Sequence, residues 1–264
     1  MHDKISDISA ILGISPQSVR LYEKHGIVQT EKDMQTGYRY FSRPELNTLL
    51  NARHLRAYDF GLTDIATLLN DAALDEICPA CDMRIDALEQ ELNYRNAILQ
   101  HLKEERAHIA NAIQMIGQCQ LVTSPSFYFL PYMFNDKLLR SPSLRSALNE
   151  WSASAPFASR ISFVSGEDLS NILTGYFLEQ PHASLLSQKA LDAARLYAPM
   201  RCVYTSFFVE KNSHSTPTRI LFKQALEYLD LNGLTLAGDI LFRPLVLLKR
   251  KSLCQLLGEV YLPY

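Results

Sequence analysis

The chain has 264 residues, with 26 Lys and Arg against 28 Asp and Glu and a formal net charge of -2. That length suits two domains and a connector, and 47% hydrophobic with 20% charged residues excludes a disordered chain and supplies a real core. The charge balance offers no overall basic field to nucleic acid, and no run approaches the roughly 18 consecutive apolar residues of a membrane helix. Five cysteines is an odd number. With no apolar leader at the start, it points to a reducing cytoplasm.

Residues 1–75 read as short helices broken by turn signals. Ser6 is expected to cap a first helix that buries Ile8, Ile11 and Leu12 and ends at Gly13. Ile14 packs inward. Ser15-Pro16 then opens a second helix, a capping Ser with Pro at the first helical position, which runs to about His25 and closes at Gly26. Two short helices joined by a tight turn containing Gly form the helix-turn-helix pattern, whose second helix enters the major groove. Its outward residues are read as Gln17, Ser18, Arg20, Tyr22 and Lys24 behind Ser15, with Val19 and Leu21 turned inward. Arg offers a bidentate fork to guanine and Gln to adenine, while Ser and Tyr hold phosphates. Residues 1–70 carry eight basic and eight acidic side chains, so any DNA footprint depends on where the charges sit.

Gly37-Tyr38-Arg39-Tyr40-Phe41 reads as the return strand of a small hairpin, a wing along the phosphate backbone. Arg39 would neutralise a phosphate there and Tyr38 would donate a hydrogen bond, and Tyr40, Arg43 and Arg56 are further candidate DNA contacts. Ser42, followed by Arg43, Pro44 and Glu45, caps a helix to about Arg56. The stretch from Arg56 to Thr63 turns into another helix, Asp64 to Leu69. Together these residues resemble the MerR family of regulators over residues 4–70. Ser15 to Val28 is similar to that family's recognition helix and its exit, Gly37 to Phe41 to its first wing, and Leu55 to Leu62 to its second. Leu21-Tyr22 departs from the family's usual pair of aromatics. The resemblance implies promoter DNA and RNA polymerase as partners and a homodimer that realigns an overlong promoter spacer.

Residues 82–117 form one long polar helical run. Ile85, Leu88, Leu92, Arg95, Leu99, Leu102, Arg106, Ile109, Ile113 and Ile116 recur three and four apart, a narrow seam that needs a second helix against it. The resemblance implies an antiparallel coiled coil between two subunits here. Cys78-Pro79-Ala80-Cys81 precedes this run and Cys119 follows it. One C-x-x-C lacks the second pair of a structural zinc site. In an antiparallel dimer, however, these three thiols would form an alternative soft-metal or thiol sensor. Cys202 and Cys254 read as packing residues in strands.

Residues 121–264 read as two similar halves. The first has a strand over 127–134, a helix over 143–152, and strands over 160–164 and 171–178. The second has a strand over 201–209, a helix over 218–231, and strands over 234–242 and 255–262. The second half resembles the GyrI-like effector-binding fold in Leu226-Glu227-Tyr228-Leu229, Asn232-Gly233-Leu234, Ala237-Gly238-Asp239 and Glu259-Val260-Tyr261-Leu262-Pro263. Cation-binding members of that fold carry an acidic residue about four positions beyond the Gly that is Gly238 here. The count lands on Phe242, which favours a flat apolar or neutral ligand. Aromatics of this region supply the expected pocket: Phe127, Phe129, Tyr132, Trp151, Tyr176, Tyr204, Phe208, Phe242 and Tyr261. Glu259 with Tyr261 is the nearest pair to a hydrolytic site, but Glu259 matches a position that orients the final strand. His182 and His214 have no identifiable partners, and no enzyme is expected.

The expected class is α+β. Residues 1–75 form a winged helix-turn-helix, 76–120 a long antiparallel coiled-coil dimerisation helix, and 121–264 an effector domain of two strand-helix-strand-strand repeats. The function expected is a ligand-responsive, multidrug-type DNA-binding regulator, more an activator than a repressor. It would sense a small aromatic molecule, with no cofactor and no membrane.

Overall fold

The computed structural model describes residues 3–32, 39–211, 218–250 and 253–264. The chain divides into two compact units, Met1–Arg95 and Asn96–Tyr264.

The first unit holds helices α1 (Ile5–Leu12), α2 (Pro16–Lys24), α3 (Arg43–Ala57) and α4 (Leu62–Asn70). A small antiparallel sheet joins them, made of β1 (Asp3–Lys4), β2 (Glu31–Lys32) and β3 (Arg39–Phe41), with β3 in the middle. The first cap is not Ser6. Helix α1 begins directly after Lys4, whose backbone N–H donates to Asp7 Oδ2 at 3.3 Å, so Ser6 lies inside the first turn. Gly13 ends the helix at φ 62°, a left-handed conformation that a side chain would strain. Ser15 caps α2 as expected, its Oγ accepting from the Ser18 N–H at 3.1 Å behind Pro16.

The core of this unit gathers Ile8, Leu12, Val19, Tyr22, Ile27, Phe41, Leu49 and Ile65. Two inward assignments change. Tyr22 is 7% exposed and Leu21 42%, the reverse of the expected facing. Positions three apart share a helix face, so Val19 brings Tyr22 inward and leaves Leu21 outside. Ile11 is 55% exposed, because Ile8 and Leu12, four apart, already supply the buried stripe.

The long helix α5 (Ile77–Gln114) starts five residues earlier and ends three earlier than the expected 82–117. Cys78 and Cys81 therefore lie within its first turns, and Ile116 lies past its end, where it forms a bridge with Ser206.

The second unit is built on one nine-stranded sheet. Its elements in chain order are β4 (Cys119–Thr123), β5 (Phe127–Phe134), β6 (Lys137–Leu138), α6 (Pro142–Ala153), β7 (Ser159–Val164), β8 (Ile172–Glu179), α7 (Gln188–Asp192), β9 (Arg195–Tyr197), β10 (Arg201–Lys211), α8 (Thr218–Leu231), β11 (Ile240–Arg250) and β12 (Leu253–Pro263). The ladders between these strands are antiparallel. The spatial order runs β4-β10-β12-β11-β7-β8-β5-β6, with β9 also on β5. Within it, β10-β12-β11 mirrors β5-β8-β7. The two sets meet where Ile240 pairs with Val164. The expected strand over 234–242 begins only at Ile240. Gly233 turns at φ 64°, and the following residues stay irregular, anchored by the Ala237 N–H to the Pro263 carbonyl at 2.8 Å.

Strand alternation sorts the side chains onto two faces. On one face, Phe222, Ala225 and Leu229 of α8 pack on Val203, Ile240, Val260 and Leu262. Trp151 and Ala147 of α6 pack on Leu130 and Leu178 in a neighbouring cluster. The other face presents Phe127, Phe129, Ile161, Phe163, Phe177 and Leu241. The later turns of α5 lie against this second face, where Ser206 Oγ donates to the Ala112 carbonyl.

Candidate functional site

Two regions carry candidate functional side chains, one in each unit. In the first unit, α2 presents Gln17, Arg20 and Lys24 to solvent, with Ser18 half-buried. Ser15 is engaged with Ser18, Oγ to Oγ at 2.9 Å, so its hydroxyl works first as a cap. Tyr22, expected at the DNA surface, is held in the core. Its phenol is raised above the usual value by burial, opposed by the charges of Arg56 and Arg53. Arg53 was not anticipated, and the nitrogen of its guanidinium lies 3.5 Å from where a side chain on Gly13 would begin. Arg56 donates to the Phe60 carbonyl and steadies the turn at Asp59, where φ is 68°. Arg84 of α5 grips the same turn through the Tyr58 carbonyl at 2.8 Å and Asp59 at 3.4 Å. Arg43 is exposed and Tyr40 half-buried on β3. Tyr38 and the loop containing Met34 lie outside the described residues, and of Arg39 only the backbone pairing with Lys32 is described.

The seam of α5 is open to solvent in the single chain. Ile85, Leu88, Leu92, Leu99, Leu102 and Ile113 are all exposed. Arg95 pairs with Glu91 of its own helix at 3.7 Å. Cys78 and Cys81 are exposed free thiols and Cys119 is half-buried, its thiol pushed up by burial. Cys202 is buried, which pushes its thiol up to about 11, and Cys254 is half-buried. Among the described residues no group of three or more His, Cys, Asp or Glu side chains is arranged to hold a metal.

In the second unit a cavity of about 250 Å³ opens on the sheet face beneath α5. Phe127, Ile161, Phe177, Leu241 and Tyr261 form its apolar wall. His108, Glu179, Arg243 and Glu259 supply its charged and titratable groups. Because Val260 and Leu262 face α8, Glu259 and Tyr261, which alternate with them, face the cavity. Glu259 is 0% exposed. Its Oε2 lies 2.7 Å from His108 Nε2, and its Oε1 lies 3.7 Å from Arg243 Nη1. Arg243 is also bound to Glu105 Oε1 at 2.5 Å and places its guanidinium carbon 5.4 Å from the Phe177 ring centre. A buried carboxylate is costly unless paired. Glu259 is paired only partly, since Oε1 has no hydrogen-bond partner among the described residues.

The hydrogen bond to Glu259 raises His108 above the ordinary imidazole value, against a smaller lowering by burial. Burial, reinforced by the Glu259 charge, raises the phenols of Tyr261 and Tyr204, whose rings lie 5.0 Å apart. Both phenols therefore stay protonated at neutral pH. Glu105, Glu179 and Glu259 outnumber Arg243 in this region, leaving an excess of negative charge that His108 offsets when protonated.

Of the aromatics expected in a pocket, this cavity takes in Phe127 and Tyr261. Tyr204 lies behind Tyr261. Trp151, Tyr176 and Tyr132 belong to the α6 side, where Trp151 Nε1 donates to the Ala190 carbonyl at 3.1 Å and stacks on Tyr176. Phe208 is 47% exposed. Phe242 packs on Phe207 against α8, with Gly258 leaving room between strands for both rings. The count from Gly238 thus reached a residue on the opposite face. Its neighbour Arg243 faces the cavity, and the buried carboxylate is supplied by Glu259. His108 and Glu105 were missed because single polar residues on a charged helix face read as solvated. His182 sits beside His101 and Phe157, and His214 lies outside the described residues.

Residues 4–72 match the family described as MerR HTH family regulatory protein. The transcriptional regulator CueR of Escherichia coli O6:H1 is 29% identical over 110 residues, covering 41% of this chain and 81% of that protein. A probable heavy metal-dependent transcriptional regulator of Haemophilus influenzae is 35% identical over 65 residues, 25% of this chain and 51% of that one. ZntR of Escherichia coli K12 is 26% identical over 113 residues, covering 42% of this chain and 72% of its own. Among solved structures, the EcmrR–DNA complex aligns over 99% of this chain and 98% of its own, at 16% identity and a TM-score of 0.39. HiNmlR, a MerR family regulator lacking the sensor domain and bound to promoter DNA, aligns over 44% of this chain and 95% of its own, at 21% identity and 0.32. Superpositions this loose do not define a common architecture. No helix among the described residues is long and apolar enough to cross a membrane.

Proposed function

We propose that this chain is a MerR-family DNA-binding transcriptional regulator that acts as a homodimer and senses a small aromatic molecule in a GyrI-like second unit. The observation that carries the reading is the cavity itself, aromatic walls around a fully buried carboxylate, one oxygen of which has no hydrogen bond among the described residues and only Arg243 at 3.7 Å. Compact apolar cavities with a few convergent polar groups bind small molecules. The excess of carboxylates favours a planar ligand with positive charge or N–H donors over the neutral ligand that Phe242 suggested. Phe127 and Phe177, in contact with each other, would form one wall beside its ring, and Glu259 would meet its charge.

The exposed Gln17, Arg20 and Lys24 on α2 would face base edges, while Arg43 and Arg53 would reach phosphates. A second copy of the chain would cover the open seam of α5, since a narrow row of Ile and Leu is suited to another helix. Ligand binding would bias a deformation of promoter DNA that aligns it for RNA polymerase.

A thermal-shift series on the purified full chain tests the sensor reading. It would use planar aromatic cations, their neutral isosteres and thiophilic metals, with a Cys78→Ser/Cys81→Ser/Cys119→Ser variant alongside. Stabilisation by an aromatic cation, retained in the cysteine variant and lost in Glu259→Gln, is expected. Stabilisation by metal alone, lost in the cysteine variant, would replace this reading with a thiol sensor.

A further inference from the structure

The position a ligand's positive group would take beside Glu259 is filled from within the chain. His108 projects from α5 and places Nε2 2.7 Å from the carboxylate that the aromatic wall surrounds. One turn earlier on the same helix, Glu105 holds Arg243 at 2.5 Å, and one turn later the Ala112 carbonyl accepts from Ser206. Three successive turns of α5 are thus pinned to β10, β11 and β12, and two of the three pins pass through the charged groups of the cavity.

We propose that His108 is a built-in competitor for the ligand: a cationic molecule reaches Glu259 only by displacing the His108 ring, and in doing so unpins this stretch of α5 from the sheet. The proposal rests on the ligand reading above and adds its regulation. The charged and titratable groups facing His108 come from every element packed there. They are Glu105 on its own helix, Glu259 and Tyr261 on β12, Arg243 on β11, Tyr204 on β10 and Glu179 on β8. The two phenols are held protonated, and Arg243 keeps its charge. His108, an imidazole, is the side chain in this set whose ordinary titration lies near neutrality.

The competition has a definite sign. Protonated His108 donates to Glu259 and offsets its charge, which strengthens the clasp and weakens a cation's claim on the carboxylate. Neutral His108 leaves the excess of negative charge to the ligand. Cation affinity should therefore rise with pH and level off once His108 is neutral, and binding should release a proton.

The test uses the full chain and two readouts. The first is hydrogen exchange of the ligand-free protein. Glu259→Gln and His108→Ala should each speed exchange of the amides over 104–112, and the double variant should add little to either, because both remove the same contact. The second is a fluorescence titration with the planar aromatic cation berberine from pH 5.5 to 8.5. Below the His108 pKa the wild-type affinity should improve about tenfold per pH unit. In His108→Gln, which keeps an N–H donor without the charge, it should be nearly flat. Unchanged exchange in both single variants overturns the clasp. Binding with equal pH dependence in wild type and His108→Gln overturns the competition. Exchange that responds as expected, with no berberine binding at any pH, would leave the clasp standing as a pin on α5 but would overturn displacement by an aromatic cation, and with it the ligand reading.

Discussion

The two units treat charge in opposite ways. Among its described residues the first unit buries one polar side chain, Ser9, and no charged one, whereas the second buries Glu259 completely and surrounds it with Arg243, His108 and two protonated phenols. In the first unit Gln17, Arg20 and Lys24 stay on the outside of a helix whose apolar residues do all the packing. On the proposed reading, that arrangement would serve recognition of a large, charged partner that comes to the surface. In the second, the polar groups are turned into an aromatic cavity, which would serve a partner small enough to enter. A surface charge is cheap to keep and cheap to lose, while a buried one couples recognition to stability.

The helix shared by both units gives the largest expected effect. Leu92→Glu with Leu99→Glu places charges in the open seam of α5 and should convert a dimer to a monomer in sedimentation experiments. An unchanged dimer would mean that the seam is not the interface. Next, Glu259→Ala should cost about 3–5 kcal/mol in urea denaturation, because it leaves Arg243 and His108 with incomplete partners in a buried site. A loss near zero would place Glu259 in solvent and erase the contrast between the units. Arg20→Ala sharpens the contrast from the other side. It should weaken binding to the cognate promoter by about 1–3 kcal/mol in a fluorescence-anisotropy assay and leave folding stability within about 0.5 kcal/mol of wild type. Ser15→Ala should lower stability by about 1 kcal/mol through loss of the α2 cap, seen as a drop in Tm.

The smallest effect is a pH dependence. His108 is raised in the folded state, so its contribution to stability is fully present below the ordinary imidazole value of about 6.5 and is lost as pH rises through the raised value. Wild type should therefore exceed His108→Gln in Tm at pH 5.5 and match it at pH 8.5. A difference that is constant across this range would assign His108 a packing role only.

Local chemistry was legible in the residues themselves. Ser15-Pro16, Gly13 and the four-residue spacing of Ile8 and Leu12 mark short helices and their ends, because caps, left-handed turns and helical faces depend on neighbours a few positions away. The strands from Phe127 to Phe134 and from Ser159 to Val164 were equally plain in their composition. The facing of Tyr22 against Leu21 was not, since both are apolar enough for either side and only packing against α3 and β3 separates them.

The sequence by itself determined the helix-turn-helix with its cap and turn, the open apolar seam of α5, and the repeated order of strands and helices that follows it. Tertiary structure alone decided which face of the sheet became the cavity. The reason is register: on β11 and β12 a shift of one residue exchanges Phe242 for Arg243 and Val260 for Glu259. Tertiary structure also decided that His108 and Glu259, 151 residues apart, share one hydrogen bond. No local pattern encodes that contact, because it arises only when α5 is laid across a sheet whose strands come from distant parts of the chain.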